Sequence, residues 1–474
     1  MVFVSRYKKS LFIFRRDYRI VDNLGLIKCC EESDQVIPVF CFDPNQYNKK
    51  KNPYYGENSF RFLIESLRDL EGQLAAVDSK LHFLQGNPDT EISQLASEQQ
   101  CDAVFFNQDY TPYATERDAK IKDSLEENGI DLIAVSDSYL TTPGSVCTGS
   151  GGPYKAFTPF RRKAVEQEVS KPQKFSSNNL IRVRSKHIEN KSILDDLGPS
   201  GESSRQVGGR TNALEKLSNI SEFSNYSADR NTPAIMGTTE LSAHLKFGTI
   251  SIREVYWEII EKLSGNSQLL TELYWRDFYA HLLHAFPYVL GDEFKDKYQG
   301  MEWFGVEGQD DSDLLVAWQQ GQTGFPIVDA GMRQLLTEGW MHNRVRMIVA
   351  SFLVKDLHLD WREGERWFAK NLVDYDPASN NGGWQWAAST GADSVPYFRI
   401  FNPWTQQKKF DTNCEYVKKY IPELNKLDNK VIHKLGEQSD EELSLILKNI
   451  NYPKPIVNHK EEREVALEQY KSLG

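Results

Sequence analysis

The chain has 474 residues, a formal net charge of −11, and 40% apolar against 26% charged residues. That is material for two or three globular domains with cores of their own. No apolar run reaches membrane-spanning length, and the opening MVFVSRYKKSLFIF is too short and too charged for a secretory signal. The acidic balance argues against bulk nucleic-acid binding but leaves room for a local basic patch. The cysteines at 29, 30, 41, 101, 147 and 414 are scattered without a C-x-x-C, so neither a metal site nor a disulfide framework is expected, and a reducing intracellular compartment is. All ten tryptophans lie after residue 250, which separates the chain into two unlike halves.

In the first half, Leu11-Phe12-Ile13-Phe14 reads as a buried strand ending in Arg15-Arg16-Asp17. Asp22-Asn23 opens a helix, 36–40 is a second strand, and 59–74 carries the helical period. Strands follow at 81–84, 103–106 and 132–135, with a helix near 116–126. This alternation predicts a Rossmann-like parallel sheet with helices on both faces. No G-x-G-x-x-G follows the first strand, so a dinucleotide bound there in the usual way is not expected. Arg15-Arg16-Asp17 and Asn107-Gln108-Asp109 fall at strand ends, either as a ligand-facing set or as a solvated rim. The GSGG run at 149–152 is a phosphate cradle or an ordinary turn. From 149 to 212 the composition shifts to Ser, Gly, Lys and Asn, as in a long surface connection.

From 213 onward the apolar period is helical throughout. Ser251-Ile252-Arg253-Glu254 spells a capping box before Val255, Ile259 and Leu263. The hydroxyls of Gly237-Thr238-Thr239-Glu240-Leu241-Ser242 precede a helix and suit an anion, although ordinary N-caps use the same residues. Glu272, Trp275 and Arg276 share one helix face. Asn343, Arg346 and Met347 share another, with His342 on its flank, and Asp374 or Asp376 would pair with Arg346.

The stretch DYDPASNNGGWQWAAST, residues 374–390, concentrates amides and acids beside two indoles. It reads as turning at Gly382-Gly383, with a helix starting near Ala387, Ala388 and Ser389. A ligand clamp and a buried turn with two core tryptophans are both open on composition. On a helix Trp384 and Trp386 would lie about 200° apart and face opposite ways.

ELYWRDFYAHLL, TGFPIVDAGMRQLLTEGWMHNRVRM, SFLVKDL, DWREGERWF, NNGGWQWAAST and YFRIFNP closely resemble the photolyase/cryptochrome family, as does the opening LFIFRRDYRIVDN. The resemblance covers almost the whole chain. WMHNRVRM with NNGGWQWAAST is most similar to the class I cyclobutane pyrimidine dimer photolyases. The (6-4) photolyases have a His-His pair where this chain has His342-Asn343, and plant cryptochromes have Asp at the position of Asn380. A cryptochrome-type receptor and a (6-4) photolyase are the alternatives.

The resemblance implies an α/β antenna domain at 1–148, a linker at 149–212 and an all-helical flavin and DNA-repair domain at 213–474. It implies FAD, active in its reduced anionic form. Tyr226, Thr238, Thr239, Leu241 and Ser242 would hold the FAD phosphates, with Glu240 standing where relatives often have Arg. Asn343, Arg346, Asp374, Asp376 and Asn380 would surround the isoalloxazine. Glu272, Trp275, Asn343, Met347 and Trp386 would line the dimer pocket, and Arg230 and Arg344 would meet phosphates of UV-damaged DNA. Trp384, Trp361 and Trp303 match the electron-transfer chain, with an insertion at 305–311 beside Trp303. The segment 109–118 leaves methenyltetrahydrofolate, a deazaflavin or no antenna as alternatives. A monomer in the cytoplasm, or the nucleus of a eukaryote, is expected.

Overall fold

The computed structural model describes residues 5–189, 193–200, 205–263, 265, 267–304 and 312–473. The insertion read at 305–311 lies outside the described residues. Contacts group the chain into two compact units. The first comprises Met1–Ser224, Thr239–Pro287 and Val373–Ala378; the second comprises Asn225–Thr238, Tyr288–Leu372 and Ser379–Gly474.

The first unit is built on five parallel strands, β1 (Tyr7–Phe14), β2 (Ser33–Phe42), β3 (His82–Gln85), β4 (Ala103–Asn107) and β5 (Asp131–Val135). Their order is β3-β2-β1-β4-β5. The strand period of two sends Phe12 and Phe14 of β1 to one core and Leu11 and Ile13 to another. The first core is closed by Leu26 and Cys29 of the helix Leu24–Glu32 and by apolar residues of the helix Glu57–Ala75. The second is closed by Ile92 and Leu95 of Pro88–Glu98 and by Ile121 and Leu125 of Pro112–Glu126. The expected doubly covered sheet is therefore present. The connection after residue 149 is docked on this unit, since Leu180 bridges Val36 of β2 and Phe157 and Phe160 are buried.

The expected capping box is formed. Ser251 Oγ accepts from Glu254 N at 3.0 Å, and Glu254 Oε2 accepts from Ser251 N at 3.0 Å. It fixes the start of the helix Ile252–Leu263 and with it Arg253. Arg253 donates to Asp22 Oδ2 at 2.9 Å and to Asp137 Oδ1 at 2.7 Å. Arg19 donates to Asp137 Oδ2 at 2.6 Å and to the carbonyls of Asp22 and Gly248. All four side chains are buried.

The second unit is helical. Its described elements include Pro326–Glu338, Asn343–Lys355, Trp361–Asn371, most of Pro377–Ala388 and the C-terminal His459–Ser472. One parallel bridge joins Phe304 to Leu359. No helix among the described residues is long and apolar enough to cross a membrane.

The quartet of Arg19, Asp22, Asp137 and Arg253 yields a stability test. Arg253→Leu leaves two buried carboxylates short of a partner and is expected to cost about 3–5 kcal/mol in urea unfolding. A loss under about 1 kcal/mol, ordinary for a surface change, would show that the quartet does not hold this unit together.

Candidate functional site

The amide-rich stretch is helical from Pro377 to Ala388. The expected turn at Gly382-Gly383 is not formed, and neither glycine has a positive φ. Ala387 and Ala388 end the helix instead of starting it, and Ser389 follows at φ 67°. Pro377 suits the first helical position, where a missing N–H costs nothing. The side-chain amides that could have competed with the helix backbone are engaged elsewhere. Asn381 Nδ2 donates to the Val289 carbonyl at 2.8 Å. Gln385 Nε2 donates to the carbonyls of Val289 at 2.9 Å and Asp292 at 3.1 Å, while its Oε1 accepts from Phe294 N at 2.9 Å. Two of the amides therefore clamp backbone of the chain itself. Asn380 is held differently: its Nδ2 donates to the Glu365 carbonyl at 3.1 Å, which fixes the amide plane and leaves Oδ1 as the acceptor end.

The two indoles of this helix go to different surroundings. Trp384 is 2% exposed and packs edge-on against Phe368 and Trp318 at centroid distances of 5.0 and 6.0 Å. Its six-membered ring lies over Gly364, where an added Cβ would stand 2.1 Å from Trp384 Cη2. Gly364 is on the helix that Trp361 begins, so glycine is what lets the two helices close. Trp386 is half-buried, with Phe401 at 6.3 Å. Trp361 and Trp303 are buried and meet at one carboxylate: Glu293 Oε1 accepts both indole N–H groups, each at 3.2 Å. Nothing in the sequence pattern pointed to Glu293.

The helix Asn343–Lys355 places Asn343 at an exposed position, with Arg346 and Met347 half-buried. Arg346 Nε donates to the Met341 carbonyl at 2.8 Å. His342 caps the helix, its Nδ1 accepting from Arg344 N at 3.2 Å, while its buried Nε2 has no hydrogen-bond partner among the described residues. Arg344 donates to Asn231 Oδ1 at 2.6 Å and lies 4.5 Å over the Phe410 ring. Burial and then the neighbouring Arg230 lower its pKa, so these two arginines are close enough to feel each other. Arg230 in turn lies 5.7 Å over the Tyr226 ring. Thr238 is half-buried in this same unit.

In the first unit, Leu241 N donates to Thr239 Oγ1 at 3.4 Å, and Ser242 Oγ donates to Asp374 Oδ2 at 2.6 Å. Glu240 has φ 53° and a buried carboxylate turned onto Arg205 at 2.5 Å, Gln206 at 2.7 Å and Lys216 at 3.3 Å. Its charge is thus neutralised within the fold. Asp376 accepts from Arg16 at 2.5 Å. On the helix Gln268–Ala285, Gln268 Nε2 donates to Glu272 Oε1 at 2.9 Å and orients that carboxyl. Phe157 stacks on Trp275 with centroids 3.6 Å apart and planes 7° from parallel. One indole face is therefore covered by Phe157, and Phe278 and Tyr279 also pack against the ring, at 5.8 and 5.7 Å.

The strand-end residues form an internal polar network, not a solvated rim. Asn107 Nδ2 donates to Asp17 Oδ2 and Asn23 Oδ1 at 2.6 and 2.7 Å, Arg15 pairs with Asp118, and Arg16 bonds Asp109 at 3.3 Å. The GSGG run is a tight turn closed by Thr148 N to Gly152 O at 2.8 Å.

The chain combines a parallel α/β unit with a helical unit that presents a fixed neutral amide, a buried indole series and neighbouring arginines. Residues 10–176 match the family model described as DNA photolyase, and residues 269–472 match the FAD binding domain of DNA photolyase. The chain belongs to the photolyase/cryptochrome family. Curated relatives named deoxyribodipyrimidine photo-lyase include those of Alkalihalophilus pseudofirmus, 36% identical with 97% of each chain covered, and Escherichia coli, 35% identical with 97% of this chain and 98% of the relative covered. A Sulfolobus tokodaii photolyase solved with two FAD molecules has a TM-score of 0.86 at 38% identity, covering 98% of this chain and 100% of that one. A class III photolyase of Agrobacterium tumefaciens reaches 0.89 at 36% identity, covering 100% and 99%. A Synechocystis cryptochrome reaches 0.86 at 26% identity, covering 98% and 100%.

Each unit by itself offers groups whose chemistry suits part of FAD. In the second, Asn380 offers a neutral acceptor for a ring N–H; in the first, hydroxyls stand at Thr239 and Ser242 where Glu240 has withdrawn its charge.

His342 supplies a pH test. Burial, followed by Arg346, Arg344 and Arg230, pulls its pKa from 6.5 to about 4. The unfolded chain then binds the proton more tightly, so this stabilisation is present above pH 6.5 and lost as pH falls toward 4. His342→Asn keeps a good cap and removes the titration. Between pH 7 and 4.5 the wild type is expected to lose about 2–3 kcal/mol more than the variant in urea unfolding. Equal losses would mean that His342 is protonated in the folded protein.

Proposed function

We propose that this chain repairs cyclobutane pyrimidine dimers in DNA in a light-driven reaction. The observation that carries this reading is the fixed amide of Asn380, whose acceptor end brings no negative charge toward an anionic reduced flavin. An Asp there would repel that anion. The proposed FAD ligands are Tyr226, Thr238, Thr239, Leu241, Ser242, Asn343, Arg346, Asp374, Asp376 and Asn380. The proposed division remains an antenna domain at 1–148, a linker at 149–212 and a repair domain at 213–474.

When bound, reduced and excited, FAD supplies an electron to the dimer and takes it back after the ring has opened. The residues supply binding and electrostatics. A dimer must be flipped out of the duplex, and its weakened pairing lowers that cost. Trp275 and Trp386 stack on the extrahelical pyrimidines, each base gaining roughly 1–3 kcal/mol. Glu272, oriented by Gln268, bonds the pyrimidine edge and answers the charge that develops there. Arg230 and Arg344 form a local positive patch for DNA phosphates on an otherwise acidic protein. Asn343 and Met347 are further proposed contacts of the dimer. Trp384, Trp361 and Trp303 relay electrons to oxidised FAD.

The direct test irradiates the reduced protein with DNA carrying either a thymine dimer or a (6-4) photoproduct and counts restored thymines. Restoration from the dimer alone is expected. Restoration from the (6-4) lesion would make that class the function, and restoration from neither would favour a light receptor.

The opposed indoles give a second prediction. Trp384→Phe is expected to abolish photoreduction of oxidised FAD. Trp386→Ala is expected to keep photoreduction and weaken dimer-DNA binding by about 1–3 kcal/mol, read by titration. If both variants lose the same function, the two rings do not have separate roles.

A further inference from the structure

Glu293 stands where two of the proposed relay indoles meet. It is 3% exposed, and its Oε1 accepts the N–H groups of Trp303 and Trp361 at 3.2 Å each and lies 2.9 Å from Arg362 Nη2. The placement is built by long-range contacts. Phe304 N donates to the His358 carbonyl at 3.0 Å, and Asp360 N donates to the Phe304 carbonyl at 3.2 Å, which sets Trp303 beside the helix start at Trp361. Asn381 and Gln385 grip Val289, Asp292 and Phe294 on either side of Glu293. The pair is not symmetric about the indoles. The Arg362 guanidinium lies 4.7 Å over the Trp361 ring, and among the described residues no cation lies over the Trp303 ring.

Removing an electron from an indole leaves a cation. A carboxylate oxygen on the indole N–H stabilises that cation, and a guanidinium over the ring opposes it. The carboxylate touches Trp303 and Trp361 equally, while the guanidinium lies over the Trp361 ring and faces Trp303 only across the shared carboxylate oxygen. The balance therefore makes Trp303 the easier of the two to oxidise.

We infer that Glu293 and Arg362 are positioning residues that give the tryptophan relay its direction: Glu293 holds both indoles and favours the electron vacancy on them over Trp384, whose indole N–H has no acceptor among the described residues, and Arg362 favours its passage from Trp361 to Trp303. The inference rests on the relay role proposed for Trp384, Trp361 and Trp303. One electron passes from Trp303 to Trp361 as the vacancy moves the other way, and no covalent bond is made or broken. Excited oxidised FAD is the oxidant at the start of the series, and an added thiol is the reductant that refills Trp303.

The test uses the FAD-loaded full chain. Glu293→Gln keeps the shape and an acceptor oxygen but removes the charge. It is expected to slow thiol-supported photoreduction of FAD by about tenfold or more, with melting temperature and dimer repair by chemically reduced enzyme unchanged. Kept dark and labelled with 15N at the indoles, the same variant should shift the Trp303 and Trp361 N–H resonances together. Arg362→Gln should also slow photoreduction, and Arg362→Lys, which keeps the charge, should restore it. A structural role would not give rescue by charge alone. If Trp361→Phe abolishes photoreduction while Glu293→Gln leaves it at the wild-type rate, the inference is overturned and the relay stands. If Trp361→Phe leaves photoreduction intact, the relay reading itself falls, and this inference with it. Should Glu293→Gln fail to fold, the two Arg362 variants decide: equal rates in Gln and Lys overturn the inference, and loss followed by rescue supports it.

Discussion

The first unit depends on a buried exchange of charge among Arg19, Asp22, Asp137 and Arg253. These residues come from the segment after β1, the segment after β5 and the helix Ile252–Leu263. Four buried ionised groups are costly unless each is answered. Here Asp137 receives both arginines, and both arginines also reach the Asp22 carbonyl. The constraint explains why a helix that starts 117 residues beyond the end of β5 folds with the sheet: without Arg253, Asp137 and Asp22 would be buried short of a cation. It also fixes the frame in which Arg16, one turn of chain away, binds Asp376 and Asp109.

The second unit solves a different problem with neutral groups. The helix Pro377–Ala388 is rich in side-chain amides, which ordinarily compete with the helix backbone. Asn381 and Gln385 avoid that competition by bonding the 289–294 backbone, so amides that could unwind the helix tether a neighbouring segment to it. Glu293 rides on that segment. A position on the flavin-family helix thus controls, through backbone bonds, where a carboxylate meets Trp303 and Trp361. Asn380 escapes the tether because it bonds the Glu365 carbonyl through its nitrogen alone.

Features governed by local periodicity were legible in the sequence. The five strands, the cap at Asn23, the capping box at Ser251 and Glu254, and the divergence of Trp384 from Trp386 follow from periods of 2.0 and 3.6 and from short-range hydrogen bonds. The sequence motifs also led to the family. What stayed hidden depends on partners distant in the chain. Asn-Asn-Gly-Gly suggests a turn by propensity, and tertiary bonds to Val289 override it. The strand-end residues Arg15, Arg16 and Asn107 left rim and ligand readings open, because their partners at Asp118, Asp376 and Asn23 are not neighbours in sequence. The stacking of Phe157 on Trp275 and the withdrawal of Glu240 onto Arg205 and Lys216 join segments that no pattern links.

The acidic charge of the whole chain and its proposed DNA partner are reconciled by geometry at a smaller scale. Arg230 and Arg344 lie close together, and both help hold His342 in its neutral form. A protonated His342 would add a fourth positive charge to those of Arg346, Arg344 and Arg230, and the cap it makes to Arg344 N uses the lone pair that protonation would remove. Burial first, and then Arg346 with the two arginines that would attract phosphate, suppress that proton and so keep the adjoining helix start intact. A phosphate placed between them would relieve their repulsion and weaken their hold on His342. The proposed phosphate contacts and the proton affinity of the helix cap would thus share two of the three guanidinium groups around His342, and the long-range field of the remaining acids, screened within about 10 Å at 0.1 M salt, bears little on either.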